Sequence, residues 1–118
     1  MTTANDQQIG GKHYAAQYQH WDWVNDVGLG YHAGNATKYV TRAFKKNGKQ
    51  DLEKALHYIA KCEELHVPFV ENGGIVAKTV KLAQANDLTD KQKDALISIC
   101  FANWDDARRD ISAIKSAL

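Results

Sequence analysis

The chain has 118 residues, 44% hydrophobic and 25% charged, which suits one globular domain and excludes a wholly disordered polypeptide. Fifteen Lys and Arg against fourteen Asp and Glu leave a net charge of +1, so no global field draws the protein to nucleic acid or to an anionic membrane. Any charged partner must be met by a local patch. No apolar run approaches the roughly 20 residues of a membrane span, and residues 1–6 lack the basic-then-apolar pattern of a signal peptide. The expectation is a cytoplasmic protein with no membrane partner. Cys62 and Cys100 have no CxxC spacing and sit among apolar residues, as reduced core thiols do.

In chain order, residues 1–11 are polar, end in Gly10-Gly11 and read as a flexible arm. Lys12-His13-Tyr14 follows, then an irregular stretch. A short helix is expected over 20–27, with Trp21, Val24 and Val27 at spacings of three and Gly28 as its stop. Trp21 and Trp23 cannot share a face, so one belongs to the core and the other to a rim. The next helix is expected over 31–46. Ala33, Ala36, Val40, Ala43 and Phe44 fall on one side, and Tyr31, Asn35, Lys38, Arg42, Lys45 and Lys46 on the other. Asn47-Gly48 stops it.

A third helix starts at 50 or 51 and runs to 66 before Pro68, with Leu52, Ala55, Leu56, Ile59 and Cys62 as its apolar face and Tyr58 and Leu65 at one edge. The short connection predicts an antiparallel αα-hairpin. After a connector over 69–74, a fourth helix is expected over 75–84. Thr89 and Gln92 form a capping box that starts a fifth over 90–101. The spacing of Ile97, Cys100, Trp104, Ala107, Ile111 and Ile114 allows one unbroken helix from there. The start chemistry of Asn103, Asp105 and Asp106 favours a break and a last helix over 104–117. With no period-two alternation and one proline, the fold class is all-α: a small bundle of five to six helices in a single domain over 1–118. The hairpin core is placed in 12–66 and a helical extension in 68–118. No repeat recurs at a fixed period.

Asn35, Lys38, Arg42 and Lys45 form a stripe at helical spacing. Lys and Arg one turn apart can hold a phosphate, Lys as a point charge and Arg as a planar fork; the alternative is a solvated face. Asp51 lies within the apolar arc of the third helix and could reach Arg42 or Lys45, because a buried carboxylate needs a cation. Equally, it could serve as a helix-start Asp. Lys12, His13 and Tyr14, behind two glycines, could close over a pocket, with His13 shuttling a proton or donating to phosphate and Tyr14 stacking on a base. They could also be a surface loop anchored by Tyr14. The histidines make no HExxH or Cys/His ligand set, so no metal site is expected, and GxxxxGK[ST], GxGxxG and GxSxG are absent. A nucleotide site here would have to be built without a phosphate-cradling loop.

His13-Tyr14, the run from Gly34 through Asn35, Lys38, Tyr39 and Arg42 to Ala43, the basic Lys45-Lys46, and the run from Asp51-Leu52 through Lys54-Ala55 to Tyr58-Ile59 together resemble one family. It is the SaV-like family of tailed-phage proteins, formerly a domain of unknown function. The resemblance covers residues 12–65; Phe44 stands where many members carry glycine, and 68–118 lie outside it. The family includes a nucleoside monophosphate kinase that lacks a P-loop, whose long N-terminal region has no counterpart here, and a member implicated in sensitivity to an abortive-infection system. The resemblance implies that Lys38 and Arg42 bind phosphates, that Asp51 orients one of them, and that His13 or Lys12 closes over the transferred group. Tyr14, Asn35, Lys45 and Lys54 complete the expected ligand-binding set.

The expected function is that of a phage accessory protein of the host cytoplasm, binding a nucleotide or another phosphate-bearing ligand. A nucleoside monophosphate kinase activity is the finer expectation, and any Mg²⁺ would arrive with the nucleotide. The competing reading is a non-enzymatic module that engages a host protein. Nucleic acid is disfavoured as a partner by the neutral net charge. Three Trp, five Tyr and three Phe supply enough aromatic surface for a homo-oligomer.

Overall fold

The periodicity of the second and third expected helices is realised as a hairpin. In the computed structural model, which describes residues 17–118, α1 spans His20–Val27, α2 Tyr31–Arg42 and α3 Lys49–Glu64. Ala33, Ala36 and Val40 of α2 and Leu52, Ala55, Ile59 and Cys62 of α3 are all buried. Their spacing of three and four places them on one face of each helix. The hairpin runs antiparallel: Arg42 meets Asp51, and Tyr39 meets Lys54 and Tyr58.

Three more helices cover it: α4 (Ile75–Asn86), α5 (Asp90–Cys100) and α6 (Trp104–Ser116). No strand occurs among the described residues. α1 packs on α4, α2 on α5 and α3 on α6, while α5 and α6 form a second hairpin. The buried apolar side chains of all six helices belong to one cluster. Trp23 is wholly buried and donates its indole N–H to Thr79 Oγ1 at 3.0 Å, tying α1 to α4. Trp21 is 56% exposed, so the inward line of α1 is Trp23 and Val27, and not the Trp21-Val24-Val27 spacing.

The break between α5 and α6 is real. Ala102 adopts φ 55°, and the Asn103 N–H reaches back to Ser98 O at 2.9 Å. The same i to i−5 closure ends α1 (Leu29 to Val24), α3 (Val67 to Cys62) and α4 (Leu88 to Ala83). Each of these closures carries a left-handed residue, supplied in turn by Gly28, His66 and Asp87. The closure at His66 ends α3 at Glu64, short of the expected 66. α2 ends at Arg42 and not at 46, because residues 43–48 turn before α3 begins. Phe44 thereby leaves the apolar face and is 45% exposed. Leu65, at the C-cap of α3, is 50% exposed for the same kind of reason.

The capping box of α5 forms as expected. Thr89 Oγ1 accepts the Gln92 N–H at 3.1 Å and the Gln92 carbonyl oxygen accepts the Thr89 N–H at 2.8 Å. Gln92 does more than cap: its amide nitrogen donates to Val40 O at 2.9 Å at the end of α2. Gln92→Leu removes both roles and leaves Val40 O with only the 3.4 Å bond from the Ala43 N–H, so we expect it to lower unfolding stability by about 1–3 kcal/mol, read from urea denaturation of both proteins.

Candidate functional site

The polar stripe of α2 does not run into open water. Lys38, Thr41 and Arg42, with Lys45 from the turn beyond, form one wall of a recess of about 160 Å³. Gln19 and His20 at the start of α1 form a second wall, and Leu82, Asn86 and Leu88 at the end of α4 a third. No carboxylate lines the recess among the described residues.

Each cation is held by something different. Arg42 Nε lies 3.3 Å from Asp51 Oδ2, with the Asp51 side chain fully buried and that of Arg42 about a third exposed. The Nε–H is not aimed along a hydrogen bond, and Asp51 Oδ1 has no partner, so the contact is an ion pair of charge and proximity. Asp51 Oδ2 also accepts the Asn47 N–H at 3.1 Å. The two readings of Asp51, helix-start acceptor and cation partner, are therefore both realised at one side chain. Lys45 Nζ donates to Asn86 O at 3.2 Å, at the C-terminus of α4. Lys38 Nζ sits 4.7 Å from the centre of the Tyr39 ring. Asp51 itself is outside the recess lining and anchors Arg42 from the hairpin side.

His20 is the recess residue that the stripe does not announce. Its Nε2 is 2.7 Å from Thr37 Oγ1, and that hydroxyl donates its one hydrogen to Gly34 O at 2.9 Å. The imidazole is then the donor to Thr37, which places its proton on Nε2. Burial, reinforced by the charge of Lys38, lowers the His20 pKa from 6.5 to about 4, so the ring is neutral at pH 7.

The other expected site residues fall in three places. Asn35 donates to Tyr31 O at 2.9 Å and lines a shallow groove that continues from the recess past Gly30 and Gly34. Lys54 lies on the hairpin, 5.3 Å from the Tyr39 ring, and takes no part in the recess. Lys12, His13 and Tyr14 lie outside the described residues. Among the described residues, no group of three or more His, Cys, Asp and Glu could hold a metal ion. Cys62 and Cys100 are both buried free thiols, and burial pushes the Cys100 pKa up to about 12. That keeps it protonated and inert as a nucleophile. Among the described residues, no helix is long and apolar enough to cross a membrane.

Two measurements test this description. An unfolded imidazole takes a proton below 6.5, whereas folded His20 stays neutral until about 4. Acid therefore favours the unfolded chain across that window, and stability present above pH 6.5 falls by about 3 kcal/mol on the way down. His20→Gln, which keeps a donor for Thr37, is expected to flatten that fall in urea denaturation at successive pH values. Asp51→Asn weakens the hold on Arg42 and is expected to cost about 1–3 kcal/mol at pH 7, read the same way.

Residues 10–60 match DUF3310, a family described as proteins of unknown function. The match takes in α1, α2 and most of α3, including Lys38, Arg42 and Asp51, and stops before α4, which closes the recess. No curated protein and no solved structure matches the chain.

Proposed function

We propose that this protein binds a phosphate-bearing ligand, with nucleotides the first class to test, in the recess between α1, α2 and α4. The observation that carries the reading is that Lys38, Arg42 and Lys45 line one recess that no described carboxylate enters. Phosphate recognition needs such converging cations, one of them a guanidinium held in a fixed orientation. Asp51 is a positioning residue that holds Arg42.

The resemblance to the SaV-like phage proteins extends this to a phage accessory protein of the host cytoplasm that acts as a nucleoside monophosphate kinase. Phosphoryl transfer asks the protein mainly for positioning and charge neutralisation, which Lys38, Arg42 and Lys45 can give. Magnesium would enter with the nucleotide. Isothermal titration of the full-length protein with a panel of mono- and triphosphates tests binding, and a coupled phosphotransfer assay tests turnover. Lys38→Ala and Arg42→Ala are each expected to weaken binding by about tenfold or more, and Lys54→Ala, outside the recess, to leave it unchanged. A bound anion also stabilises protonated His20, so the His20 pKa read by NMR is expected to rise on binding. Absence of binding at millimolar ligand would remove the proposal.

A second reading, a module that engages a host protein, is favoured by Trp21 and Phe69, both 56% exposed, and Phe101 at 47%. Capture of one host protein that survives Lys38→Ala and Arg42→Ala but fails on Trp21→Ala would support it over ligand binding.

A further inference from the structure

The two halves of the chain are built alike, although their sequences hide it. α1, α2 and α3 are followed by α4, α5 and α6, and each helix of the first set packs on its counterpart in the second. α1 and α4 both end in a left-handed residue, Gly28 and Asp87, followed by a leucine whose N–H reaches back five residues to Val24 and Ala83. Both leucines, Leu29 and Leu88, pack against the core. α2 and α5 then begin at the second residue after each leucine.

Carried forward, this register pairs most of the buried positions of α2 with buried positions of α5, and departs from such matching at positions that include Val27/Asn86, Thr41/Cys100, Ala43/Ala102, Ala55/Asp110 and Cys62/Ala117. Trp23 corresponds to Leu82, Ala36 to Ala95, Thr37 to Leu96 and Val40 to Ile99, all of them buried. After the shorter 101–103 turn, Leu52 corresponds to Ala107 and Ile59 to Ile114, again all buried. Contacts between the halves obey it too. Trp23 bonds to Thr79, the counterpart of His20; the mirrored pair, Leu82 and His20, share the recess. Across α1–α2 and α4–α5 the residue type repeats only at Leu29/Leu88, Ala36/Ala95 and Ala43/Ala102. The repeat is one of burial and chain reversal, and it leaves no period in the sequence.

The cations are not repeated. Lys38, Thr41 and Arg42 correspond to Ile97, Cys100 and Phe101. The connector crosses that position: the Val70 N–H donates to Cys100 O at 2.8 Å, and the Val70 side chain lies 3.8 Å from where a Cβ on Gly28 would be. We infer that residues 75–118 are a built-in counterpart of the unit over 20–64 that takes the place of a second copy, leaving one anion recess per chain. The face of α1–α3 that packs on α4–α6 is already covered from within, so on this inference that face receives no second copy and the expected particle is a single chain, where the aromatic content alone led to the expectation of a homo-oligomer. The count of recesses rests on the anion reading above; the covered face does not.

The test is light scattering of the full-length protein over a wide concentration range, combined with titration of inorganic tripolyphosphate. A particle of 13.2 kDa that binds one tripolyphosphate is the expected result. A two-chain particle, or two equivalent sites per chain, would overturn the inference. A single-chain particle that binds none would remove the anion reading and leave the covered face supported by its mass.

Discussion

At the end of α2, Val40 O accepts a long 3.4 Å bond from the Ala43 N–H, and the chain turns at 43 before the helix can supply anything stronger to the Val40 and Thr41 carbonyls. Gln92 supplies the donor from α5, at 2.9 Å to Val40 O and 3.4 Å to Thr41 O, while its own carbonyl oxygen caps the start of α5. One side chain thus closes two helix ends that belong to different halves of the chain. A buried amide with fewer partners would cost free energy; with these it fixes how α2 and α5 meet. The last turn of α2 carries Thr41 and Arg42, so the same contact sets one wall of the recess.

Arg42 is gripped from the other side by α3. Asp51 is fully buried, and a carboxylate there would be costly without compensation. It receives the Asn47 N–H and the charge of Arg42, and it sits in the first turn of α3, where the helix dipole favours an anion. Because Arg42 remains about a third exposed, loss of Asp51 leaves the guanidinium able to reach water. The pair therefore matters more for where Arg42 points than for net stability.

How far the sequence revealed this differs from element to element. The end of α1 follows from Gly28, whereas its inward line, Trp23 and Val27, is not the Trp21-Val24-Val27 spacing that the sequence suggests. The ends of α3, α4 and α5 were harder, since their left-handed residues are His66, Asp87 and Ala102, types that carry weak or no stop signal. Asp51 could be placed in the interior from the helical wheel alone, because its neighbours on that arc are apolar. The third wall of the recess could not. Leu82, Asn86 and Leu88 have no local pattern that points to Lys38, and only the packing of α4 on α1 brings them there. His20 was hidden for the same reason: its partner Thr37 is 17 residues away across the Gly28–Gly30 turn.

Three cations around one small space repel one another, so the unliganded recess needs compensation from outside it. Asp51 offsets Arg42 and the Tyr39 ring face offsets Lys38, and neither of these partners lines the recess. The carbonyl end of α4 offsets Lys45 through Asn86 O. Of the three, only Asp51 carries a full charge, so the recess keeps a positive balance. A neutral His20 belongs with this arrangement: a protonated imidazole would add a fourth charge beside Lys38, and burial with that charge holds its pKa near 4. An entering anion reverses each of these terms at once. It screens the lysines from each other, gives Arg42 a second acceptor and removes the penalty on protonated His20. A recess organised only for folding would gain by exchanging Lys38 for an apolar residue, and the counterpart position in the second half holds such a residue, Ile97.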